Sequence, residues 1–439
     1  MTTRNSHDVV IVGAGFTGLA AALHLARAGR KVLIVEADHA PGGLAGTFEF
    51  RDGVRIEKFY HHWFNNDLFV PKLVESLGLQ DQILTLPSRT GMFYNGRIWR
   101  LSSPLDVLRF SALSMIGRLR LGWLLFQVRK VKNWKAIERL TIREWLVPLC
   151  GEEVFRVVWE PLIKAKFSVH ADTVNAVWFW KKLVLRGNTR DTKGGEQLAY
   201  FRGGFGALAQ AMADEIVRLG GEIRYGVKAI HARTGNGKVE ALETSDGTVT
   251  GHHFLFTPAL PIVAGILADA DSSWIARLNR VRYLGNICLV LELTRSLSST
   301  YWLNVNDPGF PFVGVIEHTN LDTSEHYNGR HIVFLSRYIA AEDPEWSYGD
   351  EQYLDVALQH LTRMFPDFDR TWLTDYRIWR ADYAQPVTER DYSTYVPGRE
   401  TPFDNAWVST MAQIYPEDRG TNYAIREGEE IATLINSKL

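Results

Sequence analysis

Three glycines and one carboxylate carry the strongest chemical signal in the chain. Gly13, Gly15 and Gly18 stand at GxGxxG spacing directly behind the β-branched run DVVIV at 8–12. A glycine in the first position permits a tight turn, one in the second lets backbone amides approach a diphosphate, and one in the third lets the next helix lie against the strand. The unpaired N–H groups that open that helix then face the phosphates. Glu36 ends a second apolar run, KVLIV at 31–35. A carboxylate there accepts hydrogen bonds from both hydroxyls of an adenosine ribose and repels a 2′-phosphate, which favours FAD or NAD over NADP. The spacing alone suits a glycine-rich turn that binds nothing equally well. The order strand, turn, helix, strand, acid over 8–36 is what makes it informative.

The densest polar and aromatic cluster is EKFYHHWF at 57–64. Two adjacent histidines hold a metal only if the backbone turns both inward and a third ligand is near, and none is visible, so no metal site is expected. Imidazole titrates near neutrality, so His61 and His62 are the candidates for proton handling. The bland alternative is a partly buried strand with the two rings on opposite faces. The block Glu317-His318-Thr319-Asn320 and the pair Arg337-Tyr338 are further candidates for lining a cavity, against ordinary strand-end polarity. Cys150 and Cys288 lie far apart without ligand spacing and read as buried packing in a reducing compartment.

These residues must be positioned by two kinds of element. Strand patterns fall at 8–12, 31–35, 222–231, 281–293, 332–339 and 406–410; helical patterns fall at 18–28, 70–77, 203–221, 351–365 and 421–435. Tyr94-Asn95-Gly96-Arg97 carries the Asn-Gly signal of a type I′ hairpin. The zone 104–140 differs: apolar helical stretches at 107–113 and 119–128, containing Trp123, Leu124, Leu125 and Phe126, are studded with Arg109, Arg118, Arg120, Arg129, Lys130, Lys132 and Lys135. Such a segment is either a helical cap on a substrate domain or a peripheral contact with a membrane interface, and no run is long enough to span. Over the 439 residues, 49 Lys and Arg nearly balance 50 Asp and Glu, so no overall field favours nucleic acid. An apolar share of 46% with 23% charged residues gives enough material for two or three packed cores. The opening residues show no basic, apolar and small-residue leader pattern, which places the expected protein in the cytoplasm, or at the inner face of the membrane if 104–140 makes its contact.

With Gly42 and Gly43 following Glu36, the N-terminus resembles the FAD superfamily of glutathione-reductase type, which includes the amine oxidases, protoporphyrinogen oxidase, the carotenoid desaturases and UDP-galactopyranose mutase. The resemblance implies FAD, held by Gly13, Gly15, Gly18, Glu36, Gly42 and Gly43. Leu44 stands where an arginine commonly follows in amine oxidases. Arg202-Gly203-Gly204-Phe205 and then Val227 resemble the segment that returns the chain to the FAD domain and sets a valine backbone against adenine, and Thr257-Pro258 resembles the strand end that comes next. Residues 407–412 and Gly420 resemble the element facing the flavin pyrimidine and ribityl chain, with Met411 and Ala412 where the family has Gly-Asp. Trp159-Glu160-Pro161-Leu162, KAKF at 164–167 and WRADYAQPV at 379–387 look like the protoporphyrinogen-oxidase group.

The expected fold is α/β: a doubly wound FAD-binding domain of glutathione-reductase type, with a mixed α+β substrate domain and a helical insertion. Its FAD-binding parts are expected at 1–88, 201–265 and 396–439, with substrate parts at 89–200 and 266–395. The function implied is an oxidoreductase in which flavin N5 accepts hydride from an organic small molecule, apolar or lipid-linked if 104–140 meets a membrane. The alternatives are a sugar mutase without net redox, using Arg282, Arg337 or Arg380 for a diphosphate, and a flavin-bound assembly protein without turnover.

Overall fold

The computed structural model describes residues 7–101, 103–187 and 197–439. Met1 to Ser6, where the reading of the N-terminus as leaderless begins, lie outside the described residues. A five-stranded parallel sheet runs in the order Glu222–Arg224, Val32–Val35, His7–Val12, Gly251–Phe256, Ala406–Val408. Its central strands are apolar without alternation because both faces are covered, as parallel sheets require. Val9, Ile11, Val32, Ile34 and Leu255 face the helices Phe16–Arg27, Gly204–Arg218 and Thr421–Asn436. Val10, Val12, Leu33, Val35, Phe254 and Phe256 face the opposite side, which is covered by a three-stranded meander over 229–249 and the helices Leu260–Ile266 and Ser272–Arg280.

A second, seven-stranded sheet is mixed, in the order Leu373–Pro386, Tyr283–Leu293, His331–Ile339, Gly314–Glu317, Trp302–Val305, Thr90–Tyr94, Arg97–Arg100. The helix Asp350–Met364 packs on one face of it. The Asn-Gly hairpin forms as expected, with φ of 53° at Asn95 and 64° at Gly96. The helix expected at 107–113 instead spans Pro104–Arg109, because Ser103 and Asp106 build a reciprocal cap that sets its start earlier. The strand expected over 222–231 is broken after Arg224, and Gly226, at φ 68°, turns the chain before the next strand begins at Ala229. Four further helical segments, Ile142–Val154, Phe155–Trp159, Glu160–Phe167 and Ala176–Gly187, share a core with Met115–Val128.

The helix Met115–Val128 has two apolar faces. Gly117, Leu121, Leu124 and Val128 are buried, whereas Ile116, Leu119, Trp123 and Phe126 are all more than half exposed. The zone is therefore a cap on one side and uncovered on the other. Among the described residues no helix is long and apolar enough to cross a membrane.

Glu57 ties the two sheets' surroundings to the loop that carries the histidines. It ends the strand Arg55–Glu57, is 1% exposed, and accepts hydrogen bonds from the Tyr200 hydroxyl at 2.8 and 2.9 Å and from the Phe205 amide at 2.7 Å. The Phe205 amide lies in the first turn of its helix, so the carboxylate meets the positive end of that dipole. Burial nevertheless outweighs these bonds and pushes the carboxyl up from 4.5 to about 7. The native state therefore keeps a proton that the unfolded chain releases, and the contribution of Glu57 to stability falls as pH rises from 4.5 to about 7 and is constant above. Glu57→Gln removes this dependence. Urea denaturation should show the variant gaining on the wild type by about 3 kcal/mol across that window, and parallel pH profiles for the two proteins would contradict the assignment.

Candidate functional site

The glycine turn is built by contacts that leave no room for side chains. Gly13 has φ of 101°, and a Cβ there would sit 2.5 Å from the Thr257 Oγ1, which itself donates to the Val12 carbonyl at 2.7 Å. A Cβ on Gly18 would lie 2.0 Å from the Gly13 carbonyl oxygen. Gly15 is different, because a Cβ there would meet nothing within 4 Å and would project into open space. The helix Phe16–Arg27 begins at Gly15 without a side-chain cap, so its opening amides are free to meet an anion. Glu36 turns back onto this turn: its carboxylate accepts from the Ala14 amide and, at 2.8 Å, from the Asp38 amide, while burial pushes its pKa up. The Gly42 amide donates to the Ala14 carbonyl at 2.9 Å, and a Cβ on Gly43 would be 3.4 Å from the Gly15 Cα, so the Gly-Gly pair packs on the turn. The Val227 amide donates to the Glu36 carbonyl at 2.8 Å. Open space at Gly15, uncapped amides as donors and a neighbouring carboxylate as acceptor are what the diphosphate and ribose of FAD require, and these residues fit it.

Beside Leu44 and Gly420 lies a cavity of about 300 Å³. Trp159, Leu162, Ile163, Trp178, Phe179 and Leu183 form its apolar wall, from the helical segments Phe155–Trp159, Glu160–Phe167 and Ala176–Gly187. His61 and His62 both line it, on a loop between the strands Arg55–Glu57 and Trp63–Phe64, so they are not alternating strand residues. The His61 Nδ1 is 2.6 Å from the Phe59 carbonyl, and burial, aided by the charge of Arg419, pulls the ring down to about 4. His61 is therefore neutral at neutral pH, with the proton on Nδ1 and Nε2 left as an acceptor. His62 shares a 3.0 Å hydrogen bond through Nδ1 with the Tyr301 hydroxyl.

A polar end completes the cavity. Lys166 sits with its ammonium 3.7 Å from the centre of the Tyr338 ring, and Arg419 donates to the Tyr338 hydroxyl at 2.9 Å and to Gln385 Oε1 at 3.0 Å. Burial lowers Lys166 to about 8. Burial pushes the Tyr338 phenol up, but Lys166 and Arg419 outweigh it and bring the phenol below its ordinary value, to about 8. Asp418 takes the Lys182 ammonium at 2.6 Å and the Trp178 indole N–H at 2.8 Å, which latches the helix Ala176–Gly187 onto the C-terminal loop.

Several expected site residues lie elsewhere. Of the pair 337–338, Tyr338 lines the cavity, while Arg337 points to the other side of its strand and pairs with Asp343 at 3.1 Å and with Glu345. Glu317, His318, Thr319 and Asn320 do not line it. His318 is buried with its Nε2 2.6 Å from the Tyr327 hydroxyl, and Glu317 accepts the Ser298 amide at 3.0 Å, so this block serves internal structure. Met411 and Ala412, expected beside the flavin and not in the cavity wall, form a turn after the last strand of the parallel sheet, capped by Thr410, and Gly420 borders the cavity. Sequence reasoning missed Trp178, Phe179 and Leu183, although the i, i+4 spacing of Phe179 and Leu183 was the available signal.

The family model of flavin-containing amine oxidoreductases matches residues 16–435. The chain belongs to that family. FAD is accordingly its cofactor and oxidation–reduction its class of chemistry. Among curated relatives, a 15-cis-phytoene desaturase of an Oncidium hybrid cultivar is 24% identical over 438 residues, spanning 92% of this chain and 73% of its own length. The chain covers 66% of the proteins of the same name from Arabidopsis thaliana and Glycine max. Among solved structures, a provisionally named protoporphyrinogen oxidase of Exiguobacterium sp. 255-15 superposes with a TM-score of 0.78 at 17% identity, over 99% of this chain and 100% of that one. A reduced UDP-galactopyranose mutase superposes with a TM-score of 0.73 at 15% identity, over 99% and 94%. At these identities the structural matches speak to the fold.

The glycine contacts separate folding from cofactor binding. Gly15→Ala should leave the melting temperature of the apoprotein unchanged, since the new methyl meets nothing, yet lower bound FAD by about tenfold or more as the methyl takes the phosphates' place. Gly18→Ala should lower the melting temperature itself, through the Gly13 carbonyl. Thermal melts of apoprotein beside flavin content of the purified protein check both, and equal effects of the two substitutions would contradict the division.

Proposed function

We propose that this chain is an FAD-dependent enzyme that takes hydride from a C–H bond of an apolar organic substrate held in the cavity, on a carbon bonded to carbon, oxygen or nitrogen. The observation that carries this reading is the wall of Trp159, Leu162, Ile163, Trp178, Phe179 and Leu183 facing the loop of His61 and His62 beside Gly420. When bound, FAD supplies a two-electron acceptor at its N5. The protein's work is to orient the scissile bond and keep water out, which the aromatic wall and the Asp418 latch support. The N-terminus of Thr421–Asn436, opening at Gly420 without a side-chain cap, faces positive dipole toward this region and favours developing negative charge. His61, neutral, offers Nε2 as an acceptor, and His62, held by Tyr301, is its partner for positioning or receiving a proton.

The mutase alternative assigns a nucleotide diphosphate to Arg282, Arg337 or Arg380. Arg282 pairs with Glu389 at 3.5 Å, Arg380 with Asp350 at 2.7 Å and Arg337 with Asp343 and Glu345, and none of the three lines the cavity. Anaerobic mixing of the holoenzyme with a panel of apolar alkenes, amines and alcohols tests the reading. A substrate that bleaches the oxidised-flavin band is the expected result. Isomerisation of a nucleotide sugar only after photoreduction, with no bleaching by any member of the panel, would instead favour the mutase.

The uncovered face of Met115–Val128 belongs to the same reading. Ile116, Leu119, Trp123 and Phe126 are exposed among Arg118, Arg120, Arg129 and Lys130, an arrangement that suits the interface of an anionic bilayer, from which an apolar substrate could be drawn. In flotation with vesicles containing phosphatidylglycerol, the triple variant Ile116→Ser, Leu119→Ser, Trp123→Ser should lose binding by about tenfold or more. Equal partition of variant and wild type would remove the membrane from the account and leave the cavity chemistry standing.

A further inference from the structure

Half-buried and buried cations in this protein are, as a rule, paired with carboxylates. Lys181 meets Glu417 at 3.3 Å, Lys182 meets Asp418, Arg399 meets Glu427 and Glu430, and Arg426 meets Glu417 and Glu427. Half-buried Arg30 and Arg118 meet carbonyl oxygens instead, and Lys166 and Arg419 depart from the rule inside the cavity. Neither has a carboxylate within ion-pair distance among the described residues, and both line the cavity. Their direct contacts are not carboxylates: the Tyr338 ring for Lys166, and the Tyr338 hydroxyl and Gln385 for Arg419. Among the described residues the two carboxylates lining the cavity have other partners, Asp418 in Lys182 and Trp178, and Asp67 in the Phe64 amide at 3.0 Å. These two desolvated cations share only the charge of Asp418, which Lys182 already engages, and the Tyr338 phenol that they draw down, and such a cluster is retained where a ligand supplies further negative charge.

Their placement says what kind of ligand. Leu162, Ile163 and Lys166 lie on one face of the same helix at i, i+1 and i+4, so the ammonium stands one turn beyond the apolar wall and points into the same space. We propose that the polar end of the cavity is a binding site for an anionic group, a carboxylate or a phosphate, on a substrate whose apolar part lies against Leu162, Ile163, Phe179 and Leu183. The inference rests on the apolar-substrate reading given above and adds to it the head of the molecule. Lys166 supplies a point charge and Arg419 a planar donor whose Nη2 and Nε are fixed by Tyr338 and Gln385, so the anion meets one adaptable and one preoriented partner.

Dodecanoate, dodecyl phosphate and dodecanol, titrated into the oxidised holoenzyme and followed by perturbation of the flavin absorbance, test it. At least one of the two anions should bind about tenfold or more tightly than the alcohol, and which one does so tells carboxylate from phosphate. Lys166→Met should remove that preference while leaving dodecanol binding unchanged, and Lys166→Arg should keep it. If dodecanol binds as tightly as both anions, or if Lys166→Met weakens alcohol and anion alike, the anion site is overturned and the apolar cavity stands. If none of the three perturbs the flavin, the cavity reading fails first and takes this proposal with it. If Lys166→Met shifts the flavin's midpoint potential but not the preference for anions, the charge serves the cofactor and the proposal is overturned.

Discussion

The backbone of the first helix touches the turn that precedes it, with the Gly13 carbonyl oxygen 2.0 Å from where a Cβ of residue 18 would stand. That contact lets the helix Phe16–Arg27 lie against the strand His7–Val12, and it aims the uncapped amides of the helix at the space left open by Gly15. A second close approach depends on the first. A Cβ on Gly428 would sit 2.4 Å from the Thr17 carbonyl oxygen and 2.7 Å from the Ala20 Cβ, so the C-terminal helix packs on the first helix at near-backbone distance. Its own N-terminus, with Arg419 and Gly420, is thereby carried to the edge of the cavity. Two helices from opposite ends of the sequence are registered by absent side chains.

The rest of the site is hung on this frame by polar links. Glu57 holds the start of Gly204–Arg218 and with it the loop of His61 and His62, and the Trp63 indole N–H donates to the Thr421 hydroxyl at 2.7 Å, joining that loop to the C-terminal helix. Asn422 accepts from the Phe69 amide at 2.8 Å, fixing the next helix to the same point. From the opposite side, Lys181 and Lys182 reach Glu417 and Asp418, so the aromatic wall is tied to the loop that bears Arg419. The cavity is thus enclosed by segments far apart in sequence, and its apolar wall and its charged end are held by separate sets of contacts.

What could be seen in the sequence follows the range of the forces involved. The βαβ unit, the Asn95-Gly96 hairpin and the helix expected over 421–435 are set by local preference and periodicity, and they stand within a residue or two of where pattern put them. The side a strand residue faces is set by the sheet it joins, so Arg337 and Tyr338 could be named as a pair but not told apart. His318 illustrates the same limit: a polar block at a strand end can face a cavity or an interior network, and packing against Tyr200 and Tyr327 chose the network. The helical segments around the apolar wall were hard to read because Gly151, at φ 80°, and Pro148 interrupt Ile142–Val154, which shares their core, and because Trp178, Phe179 and Trp180 are buried on several sides of Ala176–Gly187. Their apolar residues follow no single stripe.

Titration of the apoprotein with FAD and, separately, with FMN reaches the central claim most directly, because FMN lacks the adenosine half that Gly15 and Glu36 are arranged to hold. The account predicts one FAD per chain, bound far more tightly than FMN. Equal affinity for the two flavins, or no uptake of FAD, would contradict it.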